Sequence, residues 1–269
     1  MLHLLRVEWL KVKNYRTFWI LLAMTILSIP GLSYLIYDLM NNSFPKQKGV
    51  QNVVGSPFAF PDVWQTVSWN SSMLFITPAI LIITLTTNEF TFKTHRQNII
   101  DGWSRRQFLS VKLVELVMLA VVCTIVVFVT VLVFGCIGNK VAPGQSIWQD
   151  SRFIFFYFVQ LLSYSTIAFL MALLIRRSGL AIGAFLIYML AENIIVGIGR
   201  HRFKLDGVDY LPEEVTDRLI PQPYLHRIFE SSADQLRWEQ HVPVYLAVAL
   251  VYLVVYYLVT DRRITKSDL

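Results

Sequence analysis

Charge is scarce in this sequence. Charged residues make up 16% of its 269 positions, against about 25% in ordinary soluble chains. A soluble surface with so few charges would leave large apolar patches. Disorder is excluded from the other side, because 55% of the residues are hydrophobic and 14% aromatic. Cysteine is nearly absent: only Cys123 and Cys136 occur, both in one apolar run. Thirteen positions along a helix separate them by about 20 Å, beyond disulfide reach, so both read as small buried hydrophobes. No G-x-x-x-x-G-K-[ST] loop is present. The backbone amides and lysine that cradle a nucleotide's phosphates are therefore missing, and no cofactor is expected to bind this chain. The five histidines form neither H-x-x-x-N nor H-E-x-x-H, so no metal site is expected. The net charge of +6 is split among loops, which suits anionic lipid rather than nucleic acid.

What the chain does have is long uncharged runs. A membrane-crossing helix needs about 20 mostly apolar residues. Such runs span Thr17 to Tyr37, Val63 to Asn88, Leu116 to Ile137, Phe153 to Ile175, Ser178 to Gly199 (interrupted by Glu192) and Val242 to Thr260. None alternates as barrel strands do. The expected fold is all-α and integral to the membrane, with six transmembrane helices preceded by an interfacial amphipathic helix at residues 1–16. Residues 1–269 form one domain, with a loop at 87–112 and a more polar external segment at 200–241. Pro30–Gly31 and Pro78 are expected to kink the first and second spans. The first run lacks a small-x-small cleavage site and follows residues that look helical themselves, so it reads as a span rather than a leader.

Cations set the orientation. One side of the six-span layout holds fourteen, from Arg6 through Arg105 and Arg106 to Lys266. The short loops opposite hold four: Lys46, Lys48, Lys140 and Arg152. Both termini are therefore expected to be cytoplasmic. The 200–241 segment adds six external cations, offset by eight carboxylates.

Two cytoplasmic stretches stand out. In residues 2–14, Leu2, Leu5, Trp9 and Val12 share one helical stripe, with Arg6, Lys13, His3 and Asn14 opposite. That is the pattern of a helix lying in the headgroup region against membrane lipid. In residues 89–112, a helix-competent stretch meets Asp101-Gly102, where Gly102 can turn left-handed. Ser104 and Gln107 then have capping-box spacing ahead of the third span. Helix, sharp bend and newly capped helix place a short polar element at the membrane surface, suited to docking another protein.

These residues resemble an ABC-2-type transporter permease subunit, the membrane-spanning part of an ATP-binding-cassette exporter. The resemblance covers nearly the whole chain. It rests on the span pattern together with Glu89, Thr94-x-Arg96-Gln97, Gly102-x-Ser104-Arg105 and Lys112, and on the external Leu211-Pro212 and Leu219-Ile220-Pro221-x-Pro223. It implies that Lys93 to Asp101 is a coupling helix seated in a groove of a cytoplasmic ABC ATPase subunit, which binds ATP and magnesium. Glu89, Lys93, Thr94, Arg96, Gln97, Asp101, Gly102, Arg105 and Arg106 would serve that coupling. It also implies a second permease copy or paralogue, a bacterial inner (plasma) membrane, and export of an amphiphilic or peptide-like substrate. The short re-entrant helices usual before the last span in that family are not evident in the polar 200–241 stretch.

Other patterns have plainer readings. Glu213-Glu214-x-x-x-Arg218 matches an intramembrane-protease motif, but Pro212 followed by acids and a Glu214–Arg218 spacing describes a helix start. His201-x-x-x-x-Asp206 has an acyltransferase-like spacing without the companion motifs. Gly179-x-x-x-Gly183 permits close helix packing. Glu192, followed by Asn193, lies inside the fifth span, where a carboxylate is costly unless it faces protein, water or a partner. Both are candidates for a translocation path, against a structural link between helices. Two other classes remain open: a membrane enzyme acting on lipid or peptide, and an ATPase-independent scaffold or sensor.

Overall fold

The computed structural model describes residues 2–43, 57–100, 102–138, 146–224 and 232–266. Among them there is no strand, and the helices are α1 (Leu2–Lys13), α2 (Arg16–Asp38), α3 (Val63–Ser72), α4 (Ile76–Thr91), α5 (Thr94–Ile100), α6 (Arg105–Gly138), α7 (Arg152–Ile175), α8 (Ser178–Arg202), α9 (Glu214–Asp217) and α10 (Ser232–Lys266). Among the described residues, five helices are long and apolar enough to cross a membrane, and six spans result if the bent α3–α4 pair is one. The protein is an all-helical, multi-pass membrane protein.

The bend between α3 and α4 is 45°. It has a local cause. Pro78 has no N–H, and its ring collides with the carbonyl four residues back in a continuous helix. The break falls there, before Ile76, with Thr77 N–H bonding to Leu74 O at 3.0 Å. Pro30, in contrast, sits inside α2 without interrupting it.

α7 is the central helix. About two-thirds of its apolar stretch is buried, against a third or less in the other long spans. It packs on α3, α4, α6, α8, α9 and α10. Tyr157, Leu161, Ala168, Phe169 and Ala172 all lie in this core. The hairpin from α7 to α8 takes two residues: Arg176 turns left-handed (φ 58°), Arg177 is extended, and α8 begins at Ser178. Gly179 and Gly183 face open space, so the expected close packing does not occur there within this chain.

The stretch after α8 folds back onto the bundle. A 3-10 turn at Asp206–Tyr210 sits against α8, where a Cβ on Gly199 would come within 2.5 Å of Val208 Cγ1. Val215, Leu219 and Ile220 are buried. Gln65 donates to Pro221 O (2.8 Å), and Tyr224 hydroxyl donates to Asn70 Oδ1 (3.0 Å). Polar as it is, this segment seats its few apolar residues in the core.

Candidate functional site

The first site forms where α1, α4, α5 and α6 meet. The backbone prepares it. Lys93, at φ 55°, separates α4 from α5. α5 then ends at Gly102, whose φ of 92° lets Trp103 N–H reach back to Asn98 O at 3.0 Å, a Schellman closure. Ser104 and Gln107 form the expected capping box: Gln107 N–H donates to Ser104 Oγ (3.2 Å), and Ser104 N–H donates to Gln107 Oε1 (2.8 Å). The two motifs reverse the chain in a few residues and start α6.

One ammonium holds the elements together. Lys112 Nζ, on α6, donates to Glu8 Oε2 of α1 (2.8 Å) and to Glu115 Oε2 (3.1 Å), and it pairs with Glu89 Oε1 of α4. Its side chain is 5% exposed. Lys11 Nζ bridges Glu8 Oε1 (2.6 Å) to Asn98 Oδ1 on α5 (3.1 Å). His95, also buried, joins its Nδ1 to Glu89 O at 2.9 Å. Burial by itself would raise the Glu8 carboxyl, but the charges and hydrogen bonds of Lys112 and Lys11 outweigh it and hold Glu8 down to about 2. A buried charge cluster of this kind is costly to break, because removing one partner strands the others. The cluster therefore ties the short helix α5 to three longer elements through side chains that cannot separate independently.

The residues expected at this end are distributed unevenly. Glu89 is buried in the cluster, Thr94 is half-buried, and Lys93 and Gln97 are exposed beside it. Gly102 supplies the turn. Arg96 lies on α5; Asp101 is outside the described residues. Arg105 and Arg106 look instead toward α10: Arg105 Nη1 donates to Thr265 O (2.7 Å), and Arg106 Nε lies 3.9 Å from Asp261. Glu8, Lys11, His95, Asn98 and Glu115 belong to no motif in the sequence. Glu8 had a visible sign. It lies on the stripe of Leu5, Trp9 and Val12, and a carboxylate on the packing face of a helix needs a buried cation.

The opposite end of the bundle holds Glu192 and Asn193, which the structure separates. Glu192 is buried, and its Oε1 accepts the backbone N–H groups of Glu213 (2.6 Å) and Glu214 (3.0 Å), anchoring the start of α9. Asn193 is exposed and closes onto Met189 O at 2.9 Å. Asp217 accepts hydrogen bonds from Gln160 and Tyr164 of α7, both at 2.8 Å. Glu213 is only 2% exposed, and neither of its carboxylate oxygens has a hydrogen-bond partner among the described residues. Burial, reinforced by the charges of Glu192 and Asp217, pushes it up to about 9. Burial likewise takes Asp217 to about 7. Around these acids an ionic lattice faces outward: Arg218 with Asp209 (2.7 Å) and Glu214 (2.9 Å), and Arg200 with Asp209 (3.0 Å) and Glu214 (2.5 Å). The E-E-x-x-x-R spacing is thus a helix start with its i,i+4 pair. Among the described residues, no group of three or more His, Cys, Asp or Glu could hold a metal ion.

A comparison with curated proteins finds no match. A family described as "Protein of unknown function (DUF2705)" matches residues 21–269, from within α2 to the C-terminal residue. With nearly the whole chain covered, including both charged ends except α1, this protein belongs to the DUF2705 family.

Proposed function

We propose that this chain is the membrane-spanning permease subunit of an ABC-type exporter, driven by a separate cytoplasmic ATPase that binds ATP and magnesium. The observation that carries the reading is the attachment of α5. A seven-residue helix, with Gln97 exposed on it and Lys93 exposed just before it, is joined through Asn98, Lys11, Glu8, Glu89 and Lys112 to α1, α4 and α6. A push on α5 would move these three elements together rather than bending a loop. The end carrying α5 faces the cytoplasm of the plasma membrane in this reading, which agrees with its excess of cations. A second permease copy or paralogue completes the transporter, and the cargo is amphiphilic or peptide-like. At the far end Glu192 couples α8 to the external segment, so that rocking of the spans reaches α9.

The test is direct. A photo-crosslinking residue at Gln97 in the membrane-embedded chain should capture a cytoplasmic protein that carries a phosphate-binding loop, whereas one at the exposed Ile187 should not. Charge reversal at Arg96 together with Lys93 should lower ATP turnover in the co-purified assembly. Capture of no nucleotide-binding protein, together with unchanged turnover, would leave an ATPase-independent scaffold as the better reading.

A further inference from the structure

A cavity of about 690 Å³ lies between α1, α2, α4 and α6, beside the Lys112 cluster. That volume is in the range of ligand sites, about 300–1,000 Å³. Its walls are almost entirely apolar. Leu22, Leu81, Leu85, Leu119 and Val122 line the body, with Phe169 of α7 at its depth. Its rim carries Trp9, Trp19 and Met118, which are 51%, 46% and 58% exposed. The rim therefore lies on the outer surface of the bundle, where an apolar opening on a membrane span meets lipid chains rather than water.

The charged end of this cavity is specific. Arg6, Glu8, Lys112 and Glu115 all contribute to its lining. Lys112 is already surrounded by three carboxylates, and Glu8 is held by two ammonium groups. Two groups retain capacity. Glu115 is a quarter exposed and spends one oxygen on Lys112. Arg6 is exposed and has no ion-pair partner among the described residues. Within the cavity lining, Arg6 and Lys112 balance Glu8 and Glu115, so the lining itself carries no net charge. An anionic headgroup would leave a negative charge uncompensated beside Glu115. A headgroup with both a phosphate and an ammonium keeps the balance, its phosphate on Arg6 and its ammonium on Glu115. A primary ammonium donates hydrogen bonds to the carboxylate; a quaternary one has none to give.

From this geometry we infer that the cavity is a binding site for a zwitterionic phospholipid with a primary-amine headgroup, of the phosphatidylethanolamine class. One acyl chain fills the space between α2 and α6, and the headgroup bridges Arg6 of α1 and Glu115 of α6. The lipid then packs against the same α1 that the Lys112 cluster anchors. The inference does not depend on an ATPase partner.

The experiment uses the full chain purified in mild detergent, with any chains that accompany it, from membranes containing phosphatidylethanolamine and phosphatidylglycerol. Retained lipid is measured by native mass spectrometry and compared with the membrane ratio. The expected result is enrichment of phosphatidylethanolamine by about tenfold, as a charge-assisted contact would give. Glu115→Gln should reduce that enrichment, and Val122→Trp should reduce the total lipid retained. Arg6→Gln, a change at an exposed position that leaves the core intact, should reduce the enrichment without lowering the melting temperature, and it decides the matter if Glu115→Gln does not fold. Retained lipid in the membrane ratio, selective retention of phosphatidylglycerol, or enrichment that survives Arg6→Gln would each overturn the assignment. Methylating the headgroup amine, by supplying choline lipid in reconstitution, should abolish the preference; a choline lipid held as tightly would overturn the role of Glu115.

Discussion

The two ends of this bundle bury carboxylates by opposite means. At the α5 end, Glu8, Glu89 and Glu115 gather around Lys112, and Lys11 pairs with Glu8 as well. At the α9 end, Glu192 is satisfied by backbone amides, and Glu213 has no cation partner among the described residues and holds its proton instead. Both solutions follow from the cost of a bare charge in a low-dielectric interior. They differ in what they make sensitive. A balanced cluster fails when a partner is removed, and a protonated acid responds to pH. Sensitivity to the loss of a partner belongs with the first kind of site, and titration with the second.

The largest break in that comparison is expected from Lys112→Met. It removes the ammonium shared by buried Glu8 and Glu89 and by partly exposed Glu115, at a cost of about 3–5 kcal/mol. Thermal melting in detergent should show it, together with proteolytic release of α1, and Glu8→Gln in the same chain should recover part of the loss. A silent Lys112→Met would remove the distinction between the two ends. Next comes Glu192→Ala, which leaves two buried N–H groups without an acceptor, worth about 1–3 kcal/mol. Limited proteolysis near Asp206–Pro212 should accelerate, while Glu192→Gln, which keeps an acceptor, should change little.

A pH series sharpens the contrast. Glu213 has its proton affinity raised by folding, so its contribution is full below the ordinary carboxylate range and lost as pH rises through about 9. Glu8 is lowered, so its contribution is present above the ordinary range and lost as pH falls through about 2. Glu213→Gln should therefore flatten the alkaline decline in melting temperature and leave the acid side alone; an unaltered alkaline limb would contradict the assignment. The smallest effect is Ser104→Ala, which removes one cap at the start of α6 for about 1 kcal/mol. Hydrogen exchange should rise at Gln107 and not at α9.

Much of the architecture was legible because membrane solvation is a one-dimensional rule. A backbone in hydrocarbon must satisfy itself, so the runs at Phe153–Ile175 and Ser178–Gly199 read directly as helices, and the ends came within a few residues. The Gly102 turn and the Ser104–Gln107 box were equally plain, since both depend on neighbours only three or four positions apart. The extents were harder. α6 runs from Arg105, eleven residues before its uncharged stretch, because Lys112 and Glu115 are paired inside the bundle rather than at its surface. The segment before α10 read as polar and external, yet Val215, Leu219 and Ile220 are core residues. Arg105, read as a surface cation, bonds to Thr265 O at the end of α10, a contact within the chain that no sequence pattern announced, while Arg106 stays largely exposed.

The chain alone determined that this protein crosses a membrane several times as helices, where its spans lie and how the chain turns between α5 and α6. Those properties rest on local backbone satisfaction and residue-by-residue hydropathy. Only the tertiary structure decided that Lys112 joins Glu8, 104 positions away, and that Glu192 holds residues 213 and 214. Buried charges choose their partners by proximity in three dimensions, and hydropathy along the chain carries no record of which helices meet.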